Sequence, residues 1–283
     1  MSGLLRKDYQ IIVDTTELEK VSIERCRQFR SRDKKTIVAF SGGKDSLVAY
    51  MIAVKSGIEF DAIYSPTSVD PPELIYFIRD FNKWAKEKGY PEVIFLKYNK
   101  FTERQVKGKM TGREKTMWTL IANRTIPPTR LARYCCDELK ERTGEPGDTV
   151  ITGVRWEESK ARSQQKMVNF WKGKTMVRPI VEWTEAHVWS YILENNIPYC
   201  KLYDEGWDRL GCIGCPLSSN GKRELELYPK YKEMYLRSFE KMIQYRKDTN
   251  KDKSWETADE VMRWWLGECE KQRNEIDGQC SLF

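Results

Sequence analysis

The chain has 283 residues, with 49 Lys+Arg against 42 Asp+Glu, a formal net charge of +7, eight Cys and one His. That length allows one large domain, or a domain with an appendage. No apolar run approaches about 18 residues, so no membrane-spanning helix is expected. Residues 1–10 lack the apolar stretch of a secretory signal, and a cytoplasmic location is expected. In a reducing compartment, cysteines serve as ligands, nucleophiles or core residues rather than as disulfides. The single histidine, His187, argues against histidine-rich metal sites and histidine-led triads, and reads as a helix-surface residue.

In chain order, residues 9–13 read as a short strand, and residues 15–30 as a helix with Leu18, Val21, Cys26 and Phe29 on its buried face. Residues 36–40 (Thr-Ile-Val-Ala-Phe) form a short apolar run expected to be a buried parallel strand, and residues 47–56 a helix closed by Gly57. Between them lies Ser41-Gly42-Gly43-Lys44-Asp45-Ser46. In a strand–turn–helix setting its glycines let backbone N–H groups approach an anion, and the helix N-terminus favours negative charge. Ser46 is placed to cap the helix and Lys44 to add a mobile positive charge. The four-residue gap of a Walker A loop is missing. A second strand is expected at 60–64, a helix entered through Pro71-Pro72 and ending at Gly89, and a third strand at 93–96.

From Lys97 to Arg133, ten basic residues are opposed only by Glu103 and Glu114, so this segment carries +8 and the rest of the chain −1. It reads as a surface for an anionic partner, with a solvated basic loop as the alternative. Tyr98, Phe101 and Trp118, interleaved there, suit stacking on a base. Further strands are expected at 149–152 and 176–180, and helices at 184–195, about 229–246 and 257–272, the last opened by a Thr257/Glu260 capping box. Trp264 and Trp265 read as packing against the α/β domain, with a ligand platform as the second reading. Strand–helix alternation gives the fold class: α/β, a mainly parallel sheet flanked by helices, with a C-terminal cysteine-bearing loop and helical region. The expected division is 1–30, an N-terminal strand and helix; 31–185, a nucleotide-binding domain; and 186–283, a cysteine-bearing and helical region.

The hexapeptide 41–46 resembles the pyrophosphate-binding loop, S-G-G-x-D-S, of the ATP pyrophosphatase superfamily, which includes the phosphoadenosine phosphosulfate (PAPS) reductases. Residues 153–162 (Gly-Val-Arg-Trp-Glu-Glu-Ser-Lys-Ala-Arg) resemble a second motif of that family, G-x-R-x-x-E-S-x-x-R. The run 178–216 resembles the corresponding run of PAPS reductase relatives, and the likeness covers roughly residues 36–240. It implies an adenine-nucleotide α-hydrolase-like fold. It also implies an adenosine nucleotide, either ATP with Mg²⁺ or PAPS/adenylylsulfate, held by Ser41, Gly42, Gly43, Lys44, Asp45, Ser46, Gly153, Arg155 and Arg162, with Lys44, Asp45 and Arg155 catalytic. Arginines offer forked donors to phosphate or sulfate oxygens, and Glu158 can orient one of them. Asp70 and Glu73 fall where the family carries acidic residues, and read equally as nucleotide or Mg²⁺ contacts and as complements to a helix dipole.

Cys135-Cys136 and Cys212-x-x-Cys215 offer four thiolates, which suit a [4Fe–4S] cluster or a Cys₄ zinc site. Adjacent cysteines are an awkward pair for tetrahedral zinc. Their arrangement resembles that of iron–sulfur adenylylsulfate reductases, which implies a [4Fe–4S] cluster on Cys135, Cys136, Cys212 and Cys215, ahead of zinc and of metal-free packing, with Cys200 in reserve.

Three functions are open. The first is an ATP-using enzyme that adenylylates an acceptor, releases pyrophosphate and lets a sulfur donor, a protein or a thiol, displace AMP. This resembles the ATP-pyrophosphatase component of DNA phosphorothioation systems, and the +8 segment suits a nucleic-acid acceptor. The second is reduction of PAPS or adenylylsulfate by a C-terminal thiol. Against it, Cys269 and Cys280 lack the residues that flank the family's tail cysteine, and the pyrophosphate loop is complete. The third is an accessory role through the tail Gln279-Cys280-Ser281-Leu282-Phe283, which resembles a sliding-clamp-binding pentapeptide.

Overall fold

Short apolar runs alternating with helical stretches fold as the pattern requires. The computed structural model describes residues 12–103, 105, 111–250 and 254–268. In order the elements are α1 (Thr16–Phe29), β1 (Thr36–Ala39), α2 (Lys44–Ser56), β2 (Asp61–Tyr64), α3 (Pro72–Glu87), β3 (Val93–Phe95), α4 (Met117–Ala122), a π-helical turn (Cys136–Lys140), β4 (Thr149–Ile151), β5 (Val168–Trp171), β6 (Lys174–Val177), α5 (Glu185–Glu194), α6 (Gly221–Leu227), α7 (Pro229–Asp248) and α8 (Ala258–Trp265). Among the described residues no helix is long and apolar enough to cross a membrane.

The chain divides into two compact units that interleave along the sequence. One holds the described residues of 1–65, 71–96 and 142–211, the other those of 66–70, 97–141 and 212–283. The first is the α/β unit. Its six strands run in the order β3-β2-β1-β4-β6-β5. All neighbours are parallel except β5, which pairs antiparallel with β6. The chain leaves β1 towards β2 and β3 on one side, then returns to β4 on the other. The loops after β1 and β4 therefore meet at the topological switch point, where open α/β sheets bind ligands.

The core of this unit forms where strand residues with apolar side chains meet the buried faces of the helices. Val38, Leu47, Val48 and Ile52 are fully buried. Phe81 of α3 stacks on Phe40 just beyond β1, ring centroids 5.0 Å apart, and meets Tyr50 of α2 edge-on at 5.2 Å. α2 packs against α1 and α5. The second unit has its own core, in which α4 and α8 pack on α7. There Tyr235, Phe239 and Trp265 cluster, with Trp265 4.8 Å from Tyr235 and 5.6 Å from Phe239.

Several expectations shift. On α1 the expected Leu18, Cys26 and Phe29 do face the core, but Ser22 takes the inward place expected of Val21, which is exposed, because Ser22 donates to the Pro179 carbonyl. The strand expected at 176–180 runs instead over Lys174–Val177, stopping short of Pro179. It is the second arm of a hairpin missed in the sequence, whose Lys172-Gly173 turn has φ of 47° and 77°, the two positive values a tight two-residue turn needs. Ser46 does not cap α2; Gly43 is the N-cap, and Ser46 lies inside the first turn. Trp264 and Trp265 pack within the second unit, on Trp255 and on the α7 aromatics. Residues 9–11, the thiols of Cys269 and Cys280 and the 279–283 tail lie outside the described residues.

In the α/β unit Arg25 grips Glu182 through both guanidinium arms. Burial alone raises the Glu182 carboxyl, but the Arg25 hydrogen bonds outweigh it and hold the group below the usual carboxylate range. A depressed carboxylate adds stability above its unfolded pKa, about 4.3, and that stability is lost as pH falls through the folded value. Glu182→Gln should therefore cost about 1–3 kcal/mol in urea unfolding at pH 7 and much less near pH 3. Equal losses at both pH values would contradict this account.

Candidate nucleotide site and cysteine cluster

The loop between β1 and α2 is shaped by its glycines and serines. Gly42 has φ of +75°, and a Cβ there would lie 2.6 Å from Leu74 Cδ1, so only glycine fits without strain. Ser46 Oγ accepts from the Ser41 amide at 3.1 Å and donates to the Gly43 carbonyl at 2.8 Å, which ties the turn to the helix it opens. Tyr203 accepts the Lys44 amide at 2.9 Å. Burial raises the Tyr203 pKa, so its hydroxyl stays protonated. The amides of Asp45 and Ser46, in the first helical turn, have no acceptor among the described residues. They are the orphan donors that a helix N-terminus offers an anion.

Lys44 is not the mobile charge the sequence suggested. Its side chain is buried, and Nζ donates to the Asp208 carbonyl at 2.9 Å, with Asp45 Oδ2 at 3.9 Å and Glu185 Oε1 at 3.8 Å. Asp45 in turn receives Arg155 Nε at 2.6 Å. Arg155 Nη1 reaches Glu157 Oε2 at 2.9 Å and the Trp183 carbonyl at 3.1 Å. Burial works against the Arg155 charge, but these carboxylates, Asp45 first, overcome it and keep the guanidinium protonated. Glu158 orients two arginines, accepting from the Arg155 amide at 2.8 Å and from Arg162 Nη1 at 2.7 Å.

Gly153 has a role the sequence only half suggests. A Cβ built there would stand 2.5 Å from the Asp45 carbonyl oxygen and 2.8 Å from the Ser46 amide nitrogen. Its bare backbone therefore lies directly against the first turn of α2. The structure brings Ser41, Gly42, Gly43, Lys44, Asp45, Ser46, Gly153 and Arg155 into one site, with Arg162 joined through Glu158. Tyr203, Asp208, Glu157 and Glu185 complete it. Glu185, Tyr203 and Asp208 all lie in the 178–216 run already noted, but no local signal singles them out within it.

The second unit carries the thiols. Cys135 precedes the π-helical turn that begins at Cys136, and Cys212 and Cys215 bracket a turn in which the Cys215 amide donates to the Cys212 carbonyl at 3.2 Å. The Cys135 thiol donates to Cys136; this bond first, aided by Arg133, holds the Cys136 thiol below its usual range and pushes Cys135 up. Cys212 is buried, donates to Thr67 Oγ1 at 3.4 Å, and is raised by burial. Lys140, on the same π-helical turn, is an exposed residue whose ammonium hydrogen-bonds Cys212 and lies close to Asp70 and Cys215; the Cys212 charge comes first among the causes that raise its pKa. No motif in the sequence marks this lysine. Asp70 is occupied within the unit, accepting the Thr67 amide at 2.6 Å. Cys200 lies in the core of the α/β unit, its thiol pushed up to about 11 by burial.

Four thiols in one unit match thiolate-held metal groups in donor chemistry. Among the described residues, no three Cys, His, Asp or Glu side chains converge on a single metal-sized point. The Cys135 thiol nonetheless lies near enough to Cys212 and Cys215 for their charges to raise it as well.

An open α/β sheet with a glycine-rich anion loop at its switch point defines a phosphate-binding class of protein. The phosphoadenosine phosphosulfate reductase domain matches residues 35–218, more than half of the chain, and the chain belongs to that family. It is 29% identical over 201 residues to the uncharacterized protein MJ0066 of Methanocaldococcus jannaschii, covering 67% of this chain and 38% of that protein. It is 36% identical over 89 residues to the adenosine 5'-phosphosulfate reductase of Neisseria meningitidis, covering 29% of this chain and 36% of the enzyme. The chain thus spans little more than a third of the length of these relatives. A PAPS reductase structure from Candida auris aligns with TM-score 0.47 at 18% identity, over 71% of this chain and 97% of that one.

Gly153→Ala places a methyl against backbone that cannot yield, and should cost about 1–3 kcal/mol in urea unfolding. Gly211→Ala, whose Cβ would meet nothing closer than Arg209 Nη2 at 3.6 Å, should stay within about 0.5 kcal/mol of wild type. Equal effects of the two would mean that the contact of Gly153 with α2 carries no weight.

Proposed function

We propose that the chain is an ATP pyrophosphatase of the PAPS reductase family that activates an acceptor for sulfur insertion. The observation that carries this reading is the complete hexapeptide 41–46, with the Asp45 and Ser46 amides open and Gly153 packed behind them. A reductase substrate has no β and γ phosphates for such a loop to hold. The triphosphate tail sits at the Asp45 and Ser46 amides, with Lys44 adding positive charge; bound Mg²⁺ would offset more of the phosphate charge. An acceptor oxygen attacks the α phosphorus, the Pα–O bond to the β phosphate breaks, and pyrophosphate leaves with the electron pair. A sulfur donor, a protein or a thiol, then displaces AMP. Arg155 acts through Asp45, fixing its carboxylate beside the phosphate site, and Gly153 holds the loop against α2. Arg162 is the exposed arginine of the set, available to a sulfate or phosphate oxygen.

The acceptor is nucleic acid, a reading supported by the +8 segment and by the likeness to the phosphorothioation component. Cys135, Cys136, Cys212 and Cys215 would hold a [4Fe–4S] cluster, a reading supported by the nearness of the Cys135 thiol to Cys136, Cys212 and Cys215. Such a cluster would polarise a nearby sulfur species or pass it electrons. The tail 279–283 binds a sliding clamp, a separate proposal that rests on its sequence alone.

A second reading, reduction of PAPS or adenylylsulfate through Cys269 or Cys280, draws support from the partial likeness to adenosine 5'-phosphosulfate reductases. Product analysis on anaerobically purified protein, with ATP, PAPS and adenylylsulfate side by side and single-stranded oligonucleotide present, separates the two. AMP and pyrophosphate from ATP, falling at least about 100-fold in Lys44→Ala, is the expected result. Sulfite from PAPS or adenylylsulfate, lost in Cys280→Ser or Cys269→Ser, would replace it with the reductase reading. Broad visible absorption with iron present supports the cluster; zinc with no such absorption overturns it.

A further inference from the structure

A cavity of about 410 Å³ opens in the second unit, one wall of it formed by Gly214, Cys215 and Pro216 at the end of the cysteine turn. Small-molecule sites commonly span about 300–1,000 Å³, so this one admits a single nucleotide. Its lining combines two chemistries. Trp264 and Trp265 supply aromatic surface, and Arg130 and Lys222 supply charge.

The indoles are fixed before any ligand arrives. Trp265 packs 4.8 Å from Tyr235, and its Nε1 donates to the Pro128 carbonyl at 2.6 Å. Trp264 packs on Trp255 at 5.0 Å. Both stay partly exposed, so a flat ligand can cover them with little further loss of side-chain entropy. The cations are available. Arg130 is exposed and uses only Nε, on the Pro216 carbonyl at 3.1 Å, among the described residues. Lys222 pairs with Glu268 at 2.8 Å, but both side chains are solvent-accessible, and such a pair is worth too little to keep a phosphate away. Arg130 also belongs to the +8 segment, and Lys97, Lys100, Arg113, Arg124 and Arg133 of that segment lie in the same unit.

We propose that this cavity takes one unstacked nucleotide of a single-stranded nucleic acid, its base on the indoles and its phosphate on Arg130 and Lys222. Paired bases in a duplex present no free face, whereas a single strand offers a face at every nucleotide. The assignment deepens the proposed function by narrowing its nucleic-acid acceptor to a single strand and giving it a binding cavity, and rests on that reading for its chemical purpose; the binding itself needs no turnover.

The test is fluorescence anisotropy of the full chain with a labelled 12-nucleotide dT strand, the same length of rU, and a matched duplex, at two salt concentrations. Arg130→Glu and Lys222→Glu are measured beside wild type, with thermal midpoints and AMP release recorded on the same samples. The single strand should bind at least about 10-fold more tightly than the duplex. Each variant should weaken it about 10-fold at unchanged midpoint and lower the salt slope by about one. Equal affinity for strand and duplex, or wild-type affinity in both variants, overturns the proposal. So does a cavity that responds, by tryptophan fluorescence, only to a small thiol or a peptide. Normal strand binding without AMP release sinks the proposed function and leaves this site standing; the reverse sinks this site alone.

Discussion

The α/β unit depends on one close approach, the bare backbone of Gly153 against the first turn of α2. Two loops that leave neighbouring parallel strands must converge there, and any side chain at 153 would force them apart. The Arg155–Asp45 pair, 2.6 Å long and mostly buried, spans the same junction. A buried arginine without its carboxylates would be a large penalty, so this pairing fixes the loops in one arrangement rather than merely adding stability. The Asp45 and Ser46 amides, without an acceptor among the described residues, lie in the stretch that Gly153 packs against. Lys44 and Tyr203 continue the pattern, each tied to groups more than 150 residues along the chain.

The second unit solves a different problem. It places thiols and the Asp70 carboxylate beside a core of aromatic and aliphatic side chains. Lys140, itself exposed, brings its charge to Cys212, Asp70 and Cys215 together. The π-helical turn at Cys136–Lys140 permits this by presenting Cys136 and Lys140 from one widened turn. Tyr235 closes the group from α7, donating to the Ile213 carbonyl at 3.0 Å.

Much of this was legible in the sequence where local chemistry decides. The β1 run, the hexapeptide and the G-x-R-x-x-E-S-x-x-R stretch were each readable from a few adjacent residues. So were the Thr257 capping box and the entry of α3 at Pro72. Legibility failed where tertiary partners decide. On α1 Ser22 displaced Val21 from the inward face because Ser22 finds the Pro179 carbonyl, while Leu18, Cys26 and Phe29 kept their places. Ser46 gave up the expected cap to brace the loop. Asp208 and Glu185 meet Lys44 only after folding. α4 is six residues, too short for a periodicity to register. The β5–β6 hairpin did carry a signal, the Lys-Gly turn dipeptide, which was passed over beside a basic stretch. The interleaving of the two units has no local signature at all.

The most direct measurement of the central claim is a crystal structure with ATP bearing a non-hydrolysable α,β bridge, grown with Mg²⁺. The account requires the β and γ phosphate oxygens within hydrogen-bond distance of the Asp45 and Ser46 amides, with Gly153 still packed on the helix behind them. Phosphates bound elsewhere, with the 41–46 amides left to water, would contradict it.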